Sequence, residues 1–207
     1  MGIKLIIKNA DFSENGIAPV ATQIKGVKTS VDNQTVKLTI PDDLYTDANY
    51  RIKFAVTEAL NKGEKLMWLG NTYSGRSDVL CSYTDGRMTF GINGKRLTSD
   101  TPFIPTQGEY NDVFVQTDKT ILNGVEYQNN SGSAVSNISC NGKVTCFDNI
   151  RTGTVIIQEI EIYSANGQTL KAKYVAAKDS NNRACFWDIL TDILCYANSG
   201  QLVAVEE

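Results

Sequence analysis

Met88, Phe90 and Ile92 alternate with Thr89, Gly91 and Asn93, the period of a strand with one buried and one wet face. The same period runs through Val36, Leu38 and Ile40 against Lys37 and Thr39. It recurs where Tyr50, Ile52, Phe54 and Val56 face inward and Arg51, Lys53 and Ala55 outward. Residues 66–97 hold three such runs in succession and read as a meander. Further strands are expected at 20–31, at 34–40 beyond Asp32-Asn33, at 113–117, at 120–122 and at 174–177. The strongest run is 153–163, which the alternation divides into Ile156, Gln158, Ile160 and Ile162 on one face and Ile157, Glu159 and Glu161 on the other. Residues 186–195 carry apolar positions that would also line a helix. They are read as two short strands around a turn at Thr191-Asp192.

The punctuation between these runs is uniform. Asp85-Gly86, Asn93-Gly94, Asn123-Gly124, Asn141-Gly142 and Asn166-Gly167 are dipeptides that accept the positive φ of tight hairpin turns. Regular hairpin signals and the absence of a long amphipathic helical pattern predict an all-β fold, an antiparallel β-sandwich. Residues 129–136, rich in Ser, Gly and Asn, are expected to form a surface loop. The chain divides into an N-terminal strand or arm, 1–19, interrupted by Asn15-Gly16 and Pro19, and one β-sandwich domain, 20–207; no other linker interrupts it.

Charge and cysteine content narrow the function classes. A net charge of -3 and no basic stripe argue against a nucleic-acid binder. The five cysteines follow no framework spacing and are read as free thiols of a protein folded in a reducing cytoplasm, with Cys140 and Cys146 placed where they could face each other across a hairpin. No stretch reaches membrane-spanning length and no secretory leader pattern opens the chain, so membrane insertion is not expected. The chain contains no histidine, which removes Ser-His-Asp and Cys-His nucleophile systems, and no phosphate-binding glycine motif occurs. No metal and no cofactor are expected.

The order of elements between Val36 and Tyr163 is similar to that of the concanavalin A-like, laminin-G-like jelly roll. Tyr50-Arg51-Ile52-Lys53-Phe54 resembles an early core strand of that family, and Ile157 to Tyr163 its closing strand. The segments Lys173 to Lys178, Ala184 to Asp192 and Cys195 to Gly200 resemble the C-terminal signature of jelly-roll modules in phage tail and fibre proteins. Ile6 to Ser13 resembles the start of virion proteins from phages of Bacteroides-type gut bacteria. The resemblance implies a lectin-like jelly roll in a phage virion subunit (fibre, tail or head decoration), made in the bacterial host cytoplasm. Its partners would be other virion proteins and a bacterial surface glycan, and it would act as a homo-oligomer. Ile3, Leu5, Ile7 and Phe12 would then anchor the arm to the particle.

Three functions compete. For host attachment, the 71–78 loop offers Asn71, Tyr73, Arg76 and Asp78, an aromatic face with fixed polar groups around it, as sugar recognition requires; the alternative is an ordinary hydrophilic loop. Asn129, Asn130 and Ser131 form a second candidate rim. A purely architectural cementing subunit would instead expose apolar patches. A glycoside hydrolase would need two carboxyl groups flanking a cleft. Glu159 and Glu161 are its candidates, yet they lack a third acid and are expected to line a solvated strand face. Asp188 and Asp192 are expected to fix turns through side-chain to backbone hydrogen bonds. The expected reading is non-enzymatic, with no catalytic residue.

Overall fold

The computed structural model describes residues 20–41, 48–69, 77–84, 87–92, 95–96, 103–131 and 143–206, with backbone alone at 69, 77–84, 87, 92, 95–96 and 130–131. Eighteen strands occur among them, in two antiparallel sheets. In chain order they begin with β1 (Ala21–Gln23), β2 (Gly26–Lys28), β3 (Val36–Thr39), β4 (Asn49–Val56), β5 (Lys65–Leu69) and β6 (Ser77–Thr84). There follow β7 (Arg87–Ile92), β8 (Lys95–Arg96), β9 (Tyr110–Val115), β10 (Lys119–Leu122), β11 (Val125–Gln128) and β12 (Asn130–Ser131). The last six are β13 (Lys143–Asp148), β14 (Val155–Tyr163), β15 (Leu170–Asp179), β16 (Ala184–Asp188), β17 (Ile193–Cys195) and β18 (Val203–Val205). The larger sheet runs β11-β10-β9-β4-β14-β15-β16-β17, with β1, β2 and β18 attached beside β14 and β15. The smaller runs β12-β8-β7-β6-β5-β13-β3.

The sheets form a sandwich because each supplies one apolar face to a common core. Tyr50, Ile52 and Phe54 of β4, Val113 and Val115 of β9, and Ile160 and Ile162 of β14 meet Val36, Leu38, Met67, Phe90 and Val144 of the smaller sheet. All are buried, and each large side chain so removed from water contributes about 1.5–3 kcal/mol before the entropy of ordering is subtracted. Along one side the sheets are joined by hydrogen bonds: Val36 bridges Ala197, Asn198 N donates to Thr35 O at 2.8 Å, and Thr35 N donates to Asn198 Oδ1 at 2.9 Å. On the opposite side Asn129 alone connects β11 of one sheet to β12 of the other.

The meander is present as β5, β6, β7 and β8, each paired with the next. Asn123 and Gly124, at φ 49° and 85°, make the two-residue turn between β10 and β11 that positive φ at both positions demands. Asn166-Gly167 differs. Tyr163 pairs with Leu170, so the connection is longer, closed by Ser164 N donating to Thr169 O and by Gln168 N donating to Asn166 Oδ1. Asp85-Gly86, Asn93-Gly94 and Asn141-Gly142 lie outside the described residues. Residues 186–195 are two strands, as expected, with Asp192 at φ 59° in the turn between them.

Three expectations need correction. Residues 20–31 are two strands, not one: β1 pairs with β15, whereas β2 pairs with β14 and β18, and the chain changes partner at Ile24-Lys25. Asn130 and Ser131 belong to a strand paired with β8 rather than to a loop. The face assignment on β14 fails at Gln158, where the register against β4 shifts between Ile157 and Glu159. That bulge reverses the alternation, so the core residues are Val155 and Ile157 before it and Ile160 and Ile162 after it. A second break in alternation sits in β13. Phe147 has φ 61°, an outlier for a bulky residue, and both it and its neighbour Cys146 are in the core; the Phe147 ring stacks on Phe186 of the opposite sheet at 6.2 Å.

Candidate functional site

On the outer face of the larger sheet, register places charges of opposite sign side by side. Lys53 is opposite Glu159, and Arg51 is opposite Glu161, which in turn faces Lys173. Lys173 Nζ bridges the two carboxylates, 2.8 Å from Glu159 Oε2 and 2.7 Å from Glu161 Oε1. Lys53 Nζ closes on Glu159 Oε1 at 3.0 Å, the Arg51 guanidinium lies 3.7 Å from Glu161, and the Tyr163 hydroxyl donates to Glu161 Oε2 at 2.7 Å. Arg51 also forks onto Asp112. The carboxylates are therefore buried under their partners, with Glu159 and Glu161 side chains only 11% and 8% exposed, rather than lining a solvated face. Burial pushes the Glu159 carboxyl up, but the hydrogen bonds from Lys173 and Lys53 outweigh it and hold the net value below the usual carboxylate range. A glycosidase acid must keep its proton near neutrality, which requires the opposite shift. Glu159 is thus unsuited to that role.

Of the attachment residues expected from sequence, Asn71, Tyr73 and Arg76 lie outside the described residues, and Asp78 is described by its backbone, opposite Trp68 in β6. Ile3, Leu5, Ile7 and Phe12 also lie outside. Asn129 is committed to structure: its Oδ1 accepts from Thr120 Oγ1 at 2.9 Å and its Nδ2 donates to Gln116 O at 2.8 Å. Asp188 fixes its turn as expected, accepting from Lys173 N, Leu190 N and Thr191 Oγ1. Asp192 instead holds the indole of Trp187, whose Nε1 donates to it at 3.1 Å. Cys146 is a free, buried thiol; Cys140 lies outside the described residues.

One site was not anticipated. Three connections, before β3, before β5 and after β13, meet at one end of the sandwich around a cavity of about 220 Å³. Its frame is an ion pair with one buried partner. Glu64, 2% exposed, takes Arg151 Nε at 2.9 Å and Arg151 N at 3.1 Å on Oε1, and its Oε2 accepts from Asn61 N. Arg151 reaches on to Ala59 O at 2.6 Å and Glu58 Oε2 at 3.1 Å. Asp32 Oδ1 accepts both Thr152 N and Thr152 Oγ1 at 2.7 Å, and those bonds hold its carboxyl below the usual range. Asn33 N donates to Ile150 O, and Asn149 Nδ2 to Gly63 O. Asn33, Gly63 and Asn149 all hold positive φ, at 57°, 87° and 56°. With the frame satisfied in this way, the side chains of Asn33, Asn61 and Lys62, with Asp32 Oδ2 and Asn149 Oδ1, have no hydrogen-bond partner among the described residues, and all five residues line the cavity.

Local sequence marks these positions only as turns: Asp32-Asn33 separates two strand patterns, and Lys62-Gly63 and Asn149 carry ordinary turn residues. Among the described residues no group of three or more His, Cys, Asp or Glu is placed to hold a metal ion. No protein-family model matches the chain, and no curated protein matches it.

Proposed function

We propose that this chain is a non-enzymatic structural subunit of a phage virion (fibre, tail or head decoration), whose sandwich is a lectin-like jelly roll that engages a host-surface glycan or neighbouring virion subunits. The observation that carries the non-catalytic part is the Lys173 bridge: Glu159 and Glu161, the paired acids that the sequence offers, are spent on one another's cations. The virion part is supported by the resemblance of residues 173–200 to the signature of phage tail and fibre modules, and by the turn-forming work that Asp188 does there. Attachment would act through avidity, many weak sites displayed on one particle.

The purely architectural alternative has its own support. The turn between β16 and β17 exposes Ile189 and Leu190, with Ile193 at the start of β17 next to them, and Leu190 is 51% in solvent. Apolar side chains concentrated on one turn suit a protein partner better than a sugar.

The test is binding of the labelled protein, displayed multivalently on beads, to intact gut bacteria before and after periodate oxidation of their surface sugars. Periodate-sensitive binding is the expected result. Beads that bind no cells would overturn attachment and leave the cementing role.

A further inference from the structure

We infer that the cleft framed by Glu64 and Arg151 is a carbohydrate subsite that takes a single pyranose unit of a host glycan by its hydroxyl edge. The inference rests on the glycan half of the reading above and assigns it a place. The cavity, about 220 Å³, is smaller than a typical drug-sized pocket and suits one ring. Sugar hydroxyls each donate and accept, and a site that replaces their water must offer both functions at fixed positions. Asn33 and Asn61 supply an amide donor and an acceptor each, Asn149 Oδ1 and the ionised Asp32 Oδ2 accept, and Lys62 donates.

The surrounding bonds fix the backbone of the cleft and two of these side chains. Asp32 is clamped through its other oxygen by Thr152, Asn149 is held by its bond to Gly63, and the backbone of Asn33 is pinned to Ile150. The connection carrying Asn61 and Lys62 is fastened to the opposite one by Glu64 and Arg151. Binding then costs little ordering of backbone, which favours a weak, specific site over an adaptable surface. Among the described residues that line the cleft none is aromatic, so the contacts offered are a polar edge and not a stacking face.

The experiment uses the full chain, labelled with nitrogen-15, titrated separately with glucose, galactose, mannose, fucose and N-acetylglucosamine at millimolar concentration. Side-chain amide signals of Asn33, Asn61 and Asn149 are expected to shift with at least one sugar. Asn61→Ala and Lys62→Ala alter exposed side chains that take no part in the frame. Each is expected to weaken that binding and periodate-sensitive cell binding by on the order of fivefold to tenfold, with the thermal midpoint unchanged. If both variants bind bacteria as the parent does while periodate still abolishes binding, the cleft is not the site although the glycan reading stands. If no sugar shifts any signal and no bacteria are bound, both fail together.

Discussion

Replacing Arg151 by alanine is expected to cost about 2–3 kcal/mol of folding stability, less than the loss when a fully buried ion pair is broken because only the Glu64 side of this pair is out of water. Glu64 is the reason. It is 2% exposed and its Oε1 depends on two donors from Arg151, one of them on the side chain. Without the guanidinium a carboxylate stays buried with main-chain donors alone, while Ala59 O and Glu58 lose a donor as well. The reverse substitution, Glu64→Ala, should cost less, because the Arg151 side chain is 36% exposed and water with Glu58 can solvate it. Replacing both by apolar residues should recover part of the loss, since neither charge is then stranded. Urea denaturation of the three variants decides the matter. An Arg151→Ala protein within about 1 kcal/mol of the parent would show that the pair is not what joins these connections.

Lys173→Met should cost roughly 3 kcal/mol at neutral pH and should change the sign of the acid response. In the parent, the Glu159 carboxyl sits below its unfolded value: burial raises it, and Lys173 and Lys53 more than reverse that. Its contribution is present above the unfolded value of about 4.5 and is lost as pH falls through the lower folded value. Lys173 behaves oppositely. Burial lowers it, the two carboxylates outweigh burial, and its contribution is present below about 10.5 and lost as pH rises through the raised folded value. With the ammonium gone, two carboxylates share one sheet face with Lys53 and Arg51 alone, so proton uptake stabilises the variant. Its deficit should therefore shrink between neutral pH and about pH 5, where the parent is flat. Thermal midpoints across that range measure the effect, and a deficit independent of pH would refute the shared-cation account.

Strands whose pattern is set by the core were legible from sequence. Tyr50, Ile52 and Phe54 alternate because one face of β4 meets the opposite sheet, and nothing interrupts it. On β14 the same logic failed, because the bulge at Gln158 arises where β2 and β15 take over successive halves of the strand. Half of that exchange depends on β2, more than a hundred positions away in the chain. Asn129 read as a candidate rim residue, yet Thr120 of β10 and the carbonyl of Gln116 consume its amide. The cleft was illegible for a similar reason. Asp32, Asn61 and Asn149 are unremarkable turn residues one by one, and only the approach of three connections makes them a site. Glu64 offers no local sign that it will be buried.

The joined edges of the sandwich have a mechanical consequence. The side where β17 meets β3 is stitched by the Asn198 and Val36 contacts, whereas on the other side, among the described residues, Asn129 is the link between β11 and β12. The two sheets therefore behave like the covers of a book with a spine. Thermal breathing should open the fore-edge first, so that amide protons of β11, an edge strand with three of its four residues exposed, exchange with solvent far sooner than those of β14 and β15. Force applied at the spine would load hydrogen bonds in parallel and meet high resistance, whereas force applied at the fore-edge would peel β11 away one bond at a time.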